Sequence, residues 1–98
     1  MIMGEKWLLL SYNLPTRPSR HRVQLWRGLR RVGAVNVQQS VWILPYTEDN
    51  IAEMTGLTDL IESNDGNALL FESQFLKEEH REKVLAQFKI KREGVENI

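Results

Sequence analysis

The 98-residue chain contains no cysteine. Disulfides, thiolate zinc sites and cysteine nucleophiles are therefore excluded. Other common catalytic spacings are missing too. His21 and His80 stand alone, and no H-x-H, H-E-x-x-H or paired-carboxylate pattern occurs. Each histidine reads as a surface or capping residue rather than a ligand. Long apolar runs are also lacking. The start, MIMGEKWLLL, offers a four-residue run behind an acid, too short for a signal peptide or a membrane span. The expectation is a cytoplasmic protein with no membrane partner. Repeats, low-complexity tracts and linkers are not seen.

Acidic residues are the most informative absence. From Trp7 to Thr47 there is none. The chain as a whole is neutral, but residues 1–47 hold Lys6 and six arginines against Glu5, a net of +6. Residues 48–98 hold twelve acids against six bases, a net of −6. Such asymmetry suggests an anionic partner for one surface. The competing reading is that the two halves attract each other within one fold or dimer.

What is present describes one small globular domain. Hydrophobic residues make up 42% and charged residues 27%, an ordinary mixture for a chain with a single core. Lys6–Tyr12 is a short apolar run with the pattern of a buried strand. Pro15 and Pro18 end it and hold the next loop extended. Ser19 is a candidate N-cap and Gly33 a candidate C-terminal stop for a helix over Arg20–Val32. Two β-rich runs, Ala34–Val37 and Ser40–Tyr46, flank Gln38 and Gln39 as a hairpin without an Asn-Gly turn signal. Thr47 caps a second helix reaching about Asn64, with Glu48 and Asp49 in its first turn. Its core stripe is Ile51, Met54, Leu57, Leu60 and Ile61, and Gly56 weakens it. Asp65-Gly66 turns into a last strand, Ala68–Phe75. The tail from Leu76 to about Lys91 reads as a third, charge-laced helix. This order predicts an α+β fold, the ferredoxin-like split βαβ (β-α-β-β-α-β), with an added C-terminal helix and two helices on one sheet face. The ferredoxin-like domain is expected over residues 1–75 and the helical extension over 76–98.

The first helix carries the chemistry. At about 100° per residue, Leu25, Trp26, Leu29 and Val32 share one arc, which predicts a mostly buried Trp26. Arg20, Gln24, Arg27 and Arg31 form a stripe opposite, with Arg30 beside it. Arg22 points into the apolar arc from the first turn, toward the loop that holds Arg17. Arg17, Arg20 and Arg22 around a helix N-terminus suit an oxyanion or phosphate. The alternative for Arg22 is a carboxylate partner such as Glu72, or a backbone carbonyl. The alternative for the stripe is a solvated face, although such a face would mix charge signs. Trp7, Trp42 and Tyr46 could stack bases on an open sheet, but core packing or a dimer contact explains them better.

The stretch WLLLSYNLPTRPSRHRVQLWRGLRRVGAVNVQQSVWILP closely resembles the N-terminal domain of the ChrB family of bacterial chromate-resistance proteins. The shared elements are W-L-L-L-x-Y-x-L-P, then S-R-x-R-V-x-x-W-R-x-L-R-R-x-G-A, then Q-Q-S-V-W-x-L-P. NALLFES and VLAQFKIKREGVENI fit more loosely. A weaker resemblance extends to the C-terminal domain of PaaX-type repressors, and both are similar in fold to the small CRISPR-associated ferredoxin-like nuclease. The resemblance implies a DNA-associated regulator of chromate resistance, this domain serving DNA binding or dimerisation. Arg20, Arg22, Trp26, Arg27, Arg30 and Arg31 sit on the family pattern. ChrB-type proteins are usually longer, with a second domain beyond the third helix. The nuclease places an Asp after the first-strand Tyr to hold a metal, and here that residue is Asn13, a neutral side chain. The expectations are therefore no enzymatic activity, no cofactor and no metal. The binding residues would be Arg17, Arg20, Arg22, Arg27, Arg30 and Arg31. The implied partners are DNA, chromate or another oxyanion, and a second copy in a homodimer.

Overall fold

An apolar run that is continuous rather than alternating needs cover on both sides. WLLL meets that need at the centre of the sheet. In the computed structural model, which describes residues 5–92, the elements are β1 (Trp7–Asn13), α1 (Ser19–Arg31), β2 (Val35–Gln38), β3 (Val41–Pro45), α2 (Glu48–Ser63), β4 (Asn67–Ser73) and α3 (Glu78–Arg92). Residues 1–4 and 93–98 lie outside the described residues, and with them the start of the expected 1–75 domain and the end of the expected extension. The strands form one sheet in the order β2-β3-β1-β4, every neighbouring pair antiparallel. This is the expected ferredoxin-like α+β arrangement with a C-terminal helix.

The side-chain period of two divides β1 between two cores. Leu8 and Leu10 face α1 and α2 and join Trp42, Leu44, Leu25, Leu29, Met54, Leu57 and Ile61. Trp7 and Leu9 face the other way, where Val35, Ile43 and Val84 of α3 close a second cluster. There Trp7 meets Phe75 edge-on, ring centres 5.6 Å apart, and Phe88 at 5.8 Å. Arg81 of α3 donates from Nε to Glu5 Oε1 at 2.8 Å, tying α3 to the start of β1. That bond holds the Arg81 guanidinium above its ordinary pKa. Cover on this second face is incomplete. Leu69 and Phe71, on the edge strand β4, remain 68% and 44% exposed.

The element ends follow local chemistry. Thr47 Oγ1 accepts from the Asn50 N–H at 3.0 Å and caps α2 as expected. Gly33, at φ +86°, stops α1 in the left-handed region that favours glycine. Ser19 is already helical, however: Pro18 occupies the N-cap position and no side chain caps α1. A proline there fixes the extended backbone that an N-cap needs, so the serine is displaced by one place. The hairpin turn falls at Gln39, whose φ is +34°. Asn36 stabilises it by donating from Nδ2 to the Gln39 carbonyl at 2.8 Å and the Val41 carbonyl at 3.0 Å.

Helix α1 receives the Leu57 side chain of α2 at Gly28. A Cβ built there would lie 2.7 Å from Leu57 Cδ2, whereas one at Gly56 would meet nothing within 4 Å. Both glycines are mid-helix, so alanine should gain about 1 kcal/mol of helix propensity at either. Gly56→Ala is expected to raise stability by about that amount. Gly28→Ala should fall at least about 1 kcal/mol short of it, because Leu57 must move. Urea denaturation of both variants checks the difference.

Candidate nucleic-acid interface on the first helix

Leu25 and Leu29 are buried to 1% and 0% exposure, and Gly28 is buried with them. These three residues define the face that α1 turns inward. On the helical wheel its centre is rolled by about 30° from the arc expected from Leu25, Trp26, Leu29 and Val32. The roll is toward α2, where Gly28 admits Leu57. Trp26 lies on the receding side. It is 50% exposed, not mostly buried, which corrects the sequence expectation. The same roll accounts for Arg22. It is exposed rather than lodged in the apolar arc, and Glu72, its suggested partner, instead lies 3.7 Å from Lys6 Nζ.

The arginines separate into three groups. Arg20, Arg27 and Arg31 are exposed and line one shallow depression with Val23 and Gln24. Arg31 also shares the α1–α2 groove with Glu53, yet among the described residues no ion pair joins them. Arg17 and Arg22 are exposed near the helix start. Arg30 is half-buried on a different side, its guanidinium carbon 5.0 Å from the centre of the Trp26 ring. So the structure brings Arg20, Arg27 and Arg31 together and sets Arg30 apart from them. The basic and acidic halves do meet, at Arg81–Glu5 and Lys6–Glu72, but the α1 stripe takes no part in these pairs. Among the described residues this helix face therefore carries charge of one sign.

The aromatic residues divide as packing dictates. Trp7 and Trp42 are core residues, and Tyr46 is partly exposed with Lys6 Nζ 5.4 Å from its ring centre. At the end of β1, Asn13 stands opposite Asn67 of β4. Among the described residues no three His, Asp or Glu side chains gather as a metal site would require. Nor is any helix of the described residues long and apolar enough to cross a membrane.

A family profile described as "Protein ChrB, N-terminal" matches residues 22–96. The chain belongs to the ChrB family. The Protein ChrB of Cupriavidus metallidurans is 29% identical over 82 residues, which is 84% of this chain and 25% of that relative. This ChrB-family domain thus spans about a quarter of the relative's length. The match covers nearly all of α1 together with β2, β3, α2, β4 and α3, and leaves out β1.

The roll of α1 has a measurable consequence. Leu29→Ala empties a fully buried site and should cost roughly 2–5 kcal/mol. Trp26→Ala should cost clearly less despite the larger side chain, and Arg22→Ala should change stability by less than about 0.5 kcal/mol. Thermal melts of the three variants test the order.

Proposed function

We propose that this chain is a DNA-associated regulatory domain of a chromate-resistance protein. Its contact with the sugar–phosphate backbone is made by Arg20, Arg27 and Arg31 of α1. The observation that carries the reading is the stripe itself: three exposed arginines on one helix face, with no acid between Trp7 and Thr47 to neutralise them. Membership of the ChrB family supports it. Phosphate contacts of this kind fix position and affinity but read no sequence. Arg17 and Arg22, exposed beside the start of α1, extend the same basic surface and are the second candidate place for an oxyanion such as chromate. No residue is given a catalytic role. Asn13 is a neutral amide where a nuclease of this fold would use a carboxylate.

A second reading is favoured by a different observation. The edge strand β4 exposes Leu69 and Phe71, and it contains no lysine or proline to discourage pairing. An interaction module joining two copies through that edge would not need the arginines.

Salt dependence separates the two. Each arginine that neutralises a phosphate contributes about 0.9 to the slope of log affinity against log salt on B-DNA. Changing Arg27 and Arg31 together to Ala should weaken DNA binding across sequences and flatten that slope by up to about 2, with the fold intact. Affinity measured at several salt concentrations, with thermal melts as control, is the test. An unchanged affinity and slope in a folded double variant would transfer the case to the interaction module. Added Mg²⁺ or Mn²⁺ should support no DNA cleavage. Metal-dependent cleavage lost on changing Asn13 would overturn the non-enzymatic assignment.

A further inference from the structure

The two margins of the sheet are guarded very differently. Strand β2, at one edge, is four residues long, and its ladder with β3 is broken by a register shift between Asn36 and Gln38. Val35 packs with Val84 of α3, so a helix stands beside this edge. A cavity of about 380 Å³, walled in part by Tyr12, Trp26, Arg30, Trp42 and Lys91, flanks it as well. Shortness, a bulge and a covering helix are devices by which sheets avoid pairing with other chains. Strand β4, at the opposite edge, has none of them. It is seven residues long, keeps an unbroken register with β1 and has no strand on its outer side among the described residues.

The side chains of β4 are as permissive as its backbone. Leu69 and Phe71 point to the sheet face that α3 covers only in part, Phe71 opposite Leu9 and Leu69 opposite Ser11. Both are exposed. Ala68 and Leu70 point the other way and pack on the first core. Glu72 is the one charged residue of the strand, and Lys6 Nζ lies 3.7 Å from its Oε1.

We propose that β4 pairs antiparallel with β4 of a second copy, with Leu70 on the two-fold axis. Such pairing rests on the interaction-module reading of this edge, and it is compatible with arginine contacts to DNA. Residues that face each other in an antiparallel pair point to the same side of the sheet, and a two-fold axis normal to the sheet preserves sides. The allowed registers are therefore those centred on a residue. Centring on Leu70 pairs all seven residues and sets Leu69 against the partner's Phe71 on both sides of the axis. Centring on Leu69 would set Phe71 against the partner's Asn67, and centring on Phe71 would set Leu69 against the partner's Ser73. Centring on Glu72 would oppose two carboxylates. In the Leu70 register Glu72 instead faces the partner's Ala68 and keeps Lys6. Two four-stranded sheets become one continuous sheet. Both α1–α2 layers lie on one side of it, so the arginine stripes of the two copies share a face.

The absence of cysteine supplies the test. Leu69→Cys and Phe71→Cys chains are prepared separately, mixed and mildly oxidised. The mixture should form its disulfide-linked pair about fivefold faster or more than either chain alone. Positions 69 and 71 of two copies are directly opposite, whereas like positions are diagonal at roughly 7–8 Å, too far for a disulfide. Sedimentation of the wild-type chain from about 1 to about 300 µM should show a monomer–dimer equilibrium with a Kd on the order of 10 µM, as a small interface allows. Leu69→Lys/Phe71→Lys should weaken it by about tenfold or more with far-UV circular dichroism unchanged, since both positions are exposed and lysine on an edge opposes pairing. The cysteine mixture serves even where the lysine variant fails to fold. Arg27→Ala/Arg31→Ala should dimerise like wild type whatever its DNA affinity, so failure of the edge is distinguishable from failure of the stripe. A lysine-sensitive dimer whose like-with-like disulfides form as fast as the mixed one would overturn this pairing while the interaction-module reading stands. A chain still monomeric at about 300 µM, or a dimer indifferent to the two lysines, would overturn both.

Discussion

The contact between Leu57 of α2 and the bare backbone of α1 at Gly28 sets which side chains of α1 reach solvent. A helix lying on a sheet can roll about its own axis, and which side chains reach solvent depends on that roll. Here the absence of a side chain at position 28 lets Leu57 settle against the α1 backbone. The roll that results buries Leu25 and Leu29 and lifts Trp26 into the open. It leaves Arg20, Arg27 and Arg31 together on the outside. It also places Arg30 against Trp26 rather than in line with the other arginines. One missing methyl group thus decides which residues form a stripe and which form a cavity wall.

Much of this architecture is legible in the sequence because local signals agree with global packing. The element order, the Thr47 cap, the Gly33 stop and the core residues Met54, Leu57 and Ile61 follow from periodicity and capping chemistry alone. The exceptions have a common origin. A wheel that counts only apolar side chains assigns Trp26 to the core, and it has no weight to give a glycine. Gly28 lies three residues from Leu25 and four from Val32, so it completes an inward stripe by geometry although it adds no hydrophobicity. That spacing was the available signal. The cavity was beyond sequence reasoning for a different reason: Tyr12, Trp26, Trp42 and Lys91 are remote in the chain, and only the sheet order unites them.

The third helix is more than an appendage to the split βαβ unit. Without Val84 and Phe88, the outward half of WLLL, Trp7 and Leu9, would lose much of its cover. The helix also supplies Arg81 to Glu5 and Lys91 to the cavity wall. Its cover is lopsided: α3 lies toward β2, and the β4 side of the same face keeps Leu69 and Phe71 in solvent. The sheet accordingly presents two unlike margins, a ring-and-cation margin at β2 and an aliphatic one at β4.

The position of β1 also has a temporal side. It precedes the other three strands of this sheet in the chain, yet it is central, and its two neighbours, β3 and β4, begin at Val41 and Asn67. On a ribosome adding roughly 5–20 residues per second, the most apolar run of the chain waits on the order of seconds for its first partner. The intervening segment samples the α1 helix far sooner than that, but 13 uncapped residues gain most of their helical stability only by packing on the sheet. A nascent chain of this protein therefore passes through a stage in which the WLLL strand has been made and its sheet partners have not. Until those partners emerge, Leu8, Leu9 and Leu10 have no sheet neighbour against which to bury their side chains.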